Sequence, residues 1–562
     1  MALVAAPPPE AVQFLPISDI RPGLTGAGRT VFSGSAVEEF QVEILGILEN
    51  AGPKQSIILA RLSGGPLERT GVMQGMSGSP VYIGGKLAGA VAMAFPFSKE
   101  PIAGIRPIGE MLAGGDTAHP RAVQVRAAAV PRIKDGSELQ DLATPLSFNG
   151  FTRGTLDEFG PKLRALGLEP RQGLSAGRQP PGQAKPAPLE PGSMISVQLI
   201  TGDMSVGADG TVTHIDGNRV YAFGHRFLSV GPTEVPFTRA SVLALLPNVS
   251  TSFKISASGE WLGSITSDRN AAVAGELGRR PRMVPVSIAV AGSGSPTQYK
   301  MEMAQDRLLS PMLLQMMLYS ALDATERTLG SGAIRIRGQI EFEGQPEALR
   351  FDNVHSGDFN VPLQTALSTA MPLGYVLQNS VEELRVRKID LALDSFTVKK
   401  QASIEHAWLS RREAHPGDTV EIMVETAGDG GARTKHRVQY QIPIGMPAGT
   451  LYFTVGDGPS VNAAEQRYFG IAQTRPAAEV LSFMNSLRPN TKGYVRVWRQ
   501  DAAYQIEGRD LPDPPPSVAN ILKRTQTGTS LVPRTSTLAE MVFAAGEIAI
   551  TGAKTLQLEV TE

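Results

Sequence analysis

The chain has 562 residues, a net charge of −1 and no cysteine. That length predicts about three or four domains. The near-neutral charge removes the electrostatic case for nucleic acid or an anionic membrane, and the absence of thiols excludes disulfides, thiolate nucleophiles and Cys-ligated metals. With 59 Gly, 42 Pro and only 6% aromatic residues, short strands and turns are expected to outnumber long helices.

Residues 1–17 read as an irregular arm. Its small and Pro-rich start lacks a basic n-region and an apolar h-region and reads like the stretch just past a signal cleavage site, so a bacterial exported, periplasmic or cell-envelope protein is expected, with a cytoplasmic one as the alternative. No run approaches the roughly eighteen apolar residues of a membrane span.

Residues 18–112 carry a β pattern. Residues 40–48 alternate over their first half, 56–62 form a second strand, and 81–83 with 87–95 make a hairpin around Gly84-Gly85. Residues 107–112 open a short helix. Residues 113–145 show no period, 156–166 predict an amphipathic helix, and the Pro-rich run 178–192 predicts a linker or exposed loop. The β pattern returns in 194–200 and 210–215, and an Asp216-Gly217 turn leads into 219–225.

Residues 310–329 predict a strongly apolar helix and 361–378 a second one. Alternating runs at 384–389, 419–424, 437–442 and 451–455, separated by polar turns, predict an immunoglobulin-like β-sandwich. The tail predicts a helix at 477–487, a Pro-rich loop at 512–516 and a strand at 555–560. The expected organisation is an arm (1–17), a serine-bearing half-barrel (18–112), a connecting segment (113–192), a histidine-bearing half-barrel with the apolar helix (193–340), a connector (341–390) and a sandwich-like C-terminal region (391–562).

One short stretch carries chemistry: Gln74-Gly75-Met76-Ser77-Gly78-Ser79-Pro80. Gly75 lets the backbone turn so that the N–H groups of Gly75 and Ser77 can face one spot, an oxyanion hole beside the Ser77 hydroxyl. Gly78 leaves room next to the nucleophile, and Pro80 stiffens the exit into the strand. A plain Gly/Ser turn is the competing reading, and Ser79 is the competing hydroxyl.

The wider context of that stretch is similar to a known family. Residues 37–44, then Gln74 to Pro80, then Gly85-Lys86-Leu87-Ala88-Gly89-Ala90-Val91 resemble the SpoIVB peptidase family, whose first known members are sporulation serine proteases of Gram-positive bacteria. Gly210-Thr211-Val212-Thr213, the turn, and a strand ending Gly224-His225 resemble the part of that family that carries the catalytic histidine, and residues 262–278 resemble the segment C-terminal to that histidine in the family. The resemblance implies a mainly β fold: a chymotrypsin-like double β-barrel with circularly permuted halves, because here serine precedes histidine. The predicted C-terminal sandwich and a few helices complete it.

The resemblance also implies roles. Ser77 is the expected nucleophile and His225 the general base, with His214 as the fallback. The family's aspartate position holds Ser63, a neutral orienter at best, and loss of a triad carboxylate costs about 10⁴ in rate. Asp268 is the substitute acid considered, while Asp216 is explained by its turn. The other histidines show no metal-ligand spacing, so no metal or cofactor is expected. The expected function is a serine endopeptidase acting on a protein or peptide. The alternative is a catalytically weak or inactive protease-fold scaffold that binds protein partners, favoured by Ser63.

Overall fold

The computed structural model describes residues 12–52, 55–113, 139–173, 188–292, 295–325, 329–381, 383–469, 475–506, 509–512, 517–518, 521 and 529–562. Most of the unperiodic stretch 113–145, most of the Pro-rich run 178–192 and most of the loop 512–516 lie outside these residues. The fold is mainly β. The chain divides into two compact units: Met1–Ser287 with Tyr299–Ala324, and Ile288–Gln298 with Thr325–Glu562.

The first unit contains two rings of antiparallel strands. In the first ring, Pro80–Ile83, Thr25–Val31, Val37–Gly52, Gln55–Ser63, Ile102–Pro107 and Lys86–Ala94 pair in that order, and Lys86–Ala94 pairs back onto Pro80–Ile83. Closure leaves no strand edge unpaired around the ring. Alternate side chains point inward, so Phe40, Val42 and Ile44 meet Ile58, Ala60, Leu62, Val81, Val91 and Ile105 in one core. Met73 and Met76, from the stretch before the nucleophile candidate, belong to the same core.

The second ring runs Met194–Gly202, Gly231–Leu246, Phe253–Arg269, Ala272–Leu277, Arg219–Ala222 and Ser205–Asp216, closed by pairing of Ser205–Asp216 with Met194–Gly202. Its buried residues include Val197, Val212, Val220, Phe237, Ile265 and Val273. Thr144–Asn149 extends it along Ser205–Asp216. The helix Arg153–Ala165 comes next, capped by Thr152 Oγ1, which accepts from Thr155 N at 3.2 Å. The helix Leu309–Asp323 is apolar on nearly every side and buried, as a core helix should be.

In the second unit, Leu349–Phe359, Leu329–Phe342 and Val386–Phe396 form antiparallel neighbours, with the helix Val361–Asn379 against the first two. The rest is a sandwich. One sheet holds Arg433–Gln441, Thr419–Gly428, Gln401–Leu409 and Ala549–Thr551. The other holds Glu413–Ala414, Ala553–Val560, Gly449–Asp457, Lys492–Ile506 and Arg509–Pro512, with Thr529–Ala545 also on Lys492–Ile506. Ile404, Val420, Ile422 and Val424 from one sheet share a core with Leu451, Phe453, Val455, Val497 and Leu558 from the other. Gly458–Phe469 forms a helix that periodicity did not reveal.

Candidate active site

The Gln74–Ser79 loop leaves the short helix Leu67–Thr70 at Gly71 and enters the strand Pro80–Ile83. Its backbone is held from three sides. Gln74 N donates to Ser252 O at 2.9 Å and Lys254 N to Gln74 O at 3.2 Å, so Gln74 lies along the strand Phe253–Arg269. Gly78 N donates to Val91 O at 2.7 Å, and Thr211 N donates to Ser77 O at 2.8 Å. Two threonines on the strand Ser205–Asp216 complete the cradle: Thr211 Oγ1 donates to Gly75 O at 2.8 Å and Thr213 Oγ1 to Gly78 O at 2.6 Å. The register shift between Val212 and His214 sits at Thr213, the kind of irregularity that re-aims a side chain.

Within the loop, Met76 N donates to Met73 O at 3.1 Å and Ser79 N to Met76 O at 2.9 Å. Among the described residues, the N–H groups of Gly75 and Ser77 donate to no acceptor, whereas those of Gln74, Met76, Gly78 and Ser79 all do. The two amides left free are those the glycine spacing pointed to. Gly75 has φ +91° and Gly78 φ +92°, conformations that suit glycine. The Ser77 hydroxyl is 1% exposed and has no hydrogen-bond partner among the described residues; Ser79 Oγ is likewise buried and unpartnered among them.

His225 is reached from the strand Arg219–Ala222 through a tight turn. Gly224 N donates to Ala222 O at 3.0 Å, with Phe223 at φ +72° and Gly224 at φ +69°. A phenylalanine in this region is strained by about 1–3 kcal/mol, and the packing around it holds the strain in place. Phe223 N donates to Thr211 O at 3.2 Å, and its ring lies against Gly210. Gly78 rests on the Phe223 backbone: a methyl built at Gly78 would lie 2.5 Å from Phe223 N. Thr211 is thus the joint between the two segments. Its N–H holds Ser77 and its carbonyl holds Phe223, two residues before His225.

The imidazole of His225 is 2% exposed. Its Nδ1 lies 2.7 Å from Arg226 O. A carbonyl can only accept, which assigns the proton to Nδ1 and leaves Nε2 as a bare lone pair. Nε2 is buried and has no hydrogen-bond partner among the described residues. Burial holds the imidazole below the ordinary histidine range; Asp141 and the Arg226 carbonyl act in the opposite direction, and the cations of Arg106 and Arg226 lower it further.

The remaining candidates are placed elsewhere around these loops. Asp268 accepts Phe227 N at 2.8 Å on Oδ1, and Leu228 N at 2.6 Å and Val230 N at 3.4 Å on Oδ2. Its carboxylate therefore shapes the loop after His225, and burial raises its pKa against those bonds. Ser63 lies across from Gln41 in the first ring and makes no hydrogen bond to His225 among the described residues. Asp216 sits opposite Arg219 at its turn. His214 packs edge-on to Phe14 and stacks on Tyr221.

Three features went unnoticed in the sequence. Thr211 and Thr213 were visible only as part of a motif, although their i, i+2 spacing puts both hydroxyls on one strand face. Lys254 is buried against Gly75: its Cδ would be 3.2 Å from a methyl there, its Nζ donates to Thr30 Oγ1 at 2.8 Å, and burial lowers it to about 7. A cleft of about 340 Å3 opens beside Gln74, lined also by Thr70, Phe97, Asp141, Arg171 and Val249. In it Arg171 Nη2 donates to Gln74 Oε1 at 3.1 Å, and its guanidinium lies 3.6 Å from the Phe253 ring centroid.

Residues 12–106 match the SpoIVB peptidase S55 family. The match spans the serine-bearing ring and contains Ser77, and it supports a peptidase, a hydrolase of peptide bonds. His225 lies beyond the span matched to the SpoIVB family. No curated protein and no solved structure matches the chain.

Proposed function

We propose that the protein is a serine endopeptidase that builds its site from two rings in serine-first order. The observation that carries this reading is the pair of unpaired N–H groups at Gly75 and Ser77, in a loop whose other amides from Gln74 to Ser79 all have acceptors. A structural turn would have no reason to leave those two amides without acceptors, because an unmet buried donor costs about 1–3 kcal/mol. An oxyanion hole needs donors that are free until charge develops.

In this reading Ser77 Oγ attacks the scissile carbonyl while His225 Nε2 takes its proton. The carbonyl oxygen becomes an oxyanion and accepts from Gly75 N–H and Ser77 N–H. The C–N bond then breaks, and the imidazolium returns the proton to the leaving amine. Water repeats the sequence on the acyl-enzyme. The Arg226 carbonyl orients the ring through Nδ1–H, as a triad carboxylate would, with a dipole in place of a full charge. The substrate is a polypeptide, and the cleft beside Gln74 takes one of its side chains.

Hydrolysis of an unfolded protein substrate tests the proposal. Ser77→Ala is expected to lose at least about 10³ of the rate with unchanged thermal stability, since its hydroxyl makes no hydrogen bond among the described residues. Hydrolysis by Ser77→Ala at the wild-type rate would refute it.

A further inference from the structure

A protease that replaces its triad carboxylate with a carbonyl has a charge problem. When His225 becomes imidazolium, it does so in a buried place beside the cations of Arg106 and Arg226. Arg106 Nε donates to Gly224 O at 3.4 Å, although its own charge is met by Glu110 at 3.3 Å. Asp268 is committed to the amides of Phe227, Leu228 and Val230.

Asp141 is the acid whose charge acts on the imidazole. Gln140–Asp141 is a two-residue strand on the edge of Lys86–Ala94: Asp141 lies opposite Met93, and Leu142 N donates to Ala92 O at 2.9 Å. The turn that carries His225 rests on the same strand, where a methyl built at Gly224 would be 3.1 Å from Val91 O and 3.4 Å from the Cβ atoms of Ala90 and Ala92. Asp141 and the His225 turn are therefore both placed by residues 90–93.

Asp141 lines the cleft beside Gln74 with two other acids. Glu100 is paired with Arg61 at 3.2 Å and Glu169 with Arg164 at 3.2 Å. Asp141 has no ion-pair partner among the described residues. Its side chain is exposed, so structural packing does not explain it.

We propose that Asp141 is a positioning residue for His225, supplying from a neighbouring strand the negative charge that Ser63 and the Arg226 carbonyl lack. The proposal rests on the Ser77–His225 reading. Asp141 acts through the imidazole and does not touch the reacting atoms. Its carboxylate favours the imidazolium, against burial and against Arg106 and Arg226. Because it faces solvent, its effect is smaller than that of a buried triad acid and is screened by salt.

Asp141→Asn is the test, read as kcat/KM against pH at low and high salt. The variant is expected to lose about two- to fivefold in kcat/KM at low salt, the order for a solvent-facing charge pair. Its acid limb should move to lower pH, because the charge that favoured the imidazolium is gone. The gap from wild type should narrow as salt is raised. Asp141→Glu should recover most of the rate. The exposed side chain leaves folding intact, checked by an unchanged melting temperature. An unmoved acid limb with wild-type kcat/KM would overturn the proposal. If Ser77→Ala abolishes hydrolysis while Asp141→Asn does nothing, only the role of Asp141 fails; if Ser77→Ala hydrolyses normally, the site reading fails first.

Discussion

Gly78→Ala separates the cost of backbone conformation from the cost of lost space. Gly78 has φ +92°, and a left-handed residue with a Cβ costs about 1–2 kcal/mol. Its methyl would also overlap the Thr211 carbonyl oxygen and lie 2.5 Å from Phe223 N and 3.0 Å from Phe223 Cα. All three obstacles are backbone atoms, so none can yield by rotating a side chain. Forcing them apart costs about a further 1–3 kcal/mol.

Gly84→Ala is the control, at φ +56° with nothing within 4 Å. It carries the conformational cost alone. For a domain of this size the melting temperature should fall by roughly 5–15 °C in Gly78→Ala and by only about 2–5 °C in Gly84→Ala. Differential scanning calorimetry at one scan rate compares them. Gly78→Ala should also lose hydrolysis, because the serine loop is pressed away from the turn that carries His225. Equal melting temperatures for the two variants would show that the serine loop and the Phe223 turn are not in contact, and the reasoning about the joint would fall with them.

Lys254 gives a pH-dependent prediction. Its amine is held at about 7 when folded, against 10.5 for the ordinary side chain. Between those values the unfolded chain binds more protons, so stability rises with pH, by at most about 1.4 kcal/mol per unit. Lys254→Met should lack that slope and be as stable as wild type or more so near neutral pH; parallel stability curves from urea unfolding at pH 7 and 9 would contradict this. Asp268→Asn removes a charged acceptor from three amides and should cost about 2 kcal/mol, with a fall in kcat because the loop after His225 loosens. Wild-type kcat and melting temperature in that variant would count against this placement. The acid limb of wild-type kcat/KM should lie below the ordinary histidine value, since burial lowers His225; a limb above it would contradict the assignment of the base.

The parts of the site that were legible in the sequence are those written in local chemistry. Gly75 and Gly78 flank Ser77 because the loop needs left-handed backbone at those two places, and that need shows in residue type. The Gly224-His225 pair was equally visible, although the strand expected to run through it ends at Ala222 and a turn carries the histidine. The partner of His225 Nδ1 was not, because the atom that meets it is a backbone carbonyl, which no residue type announces. Asp141 was hidden differently: it sits in a two-residue strand at the end of an unperiodic stretch, and only long-range pairing with Met93 gives it meaning. Ser63 was visible as a departure, but Asp141, proposed to compensate for it, lies on another strand.

The same division runs through the fold. Helices with a strong apolar pattern, at Leu309–Asp323 and Val361–Asn379, were evident from spacing. The helix Gly458–Phe469 was not. Ring closure depends on pairings such as Thr25–Val31 with Pro80–Ile83, which are distant in sequence and leave no local trace. The sandwich was legible because its two sheets alternate in the ordinary way, buried residues on one face of each strand.

The measurement that bears most directly on the central claim is the site of covalent labelling by a fluorophosphonate probe, mapped by peptide mass spectrometry on the full chain. The account predicts a single adduct on Ser77, formed by wild type and lost in His225→Ala, with Ser79 unlabelled. Hydrolysing protein that carries no adduct on Ser77, or carries it undiminished in His225→Ala, would contradict the account.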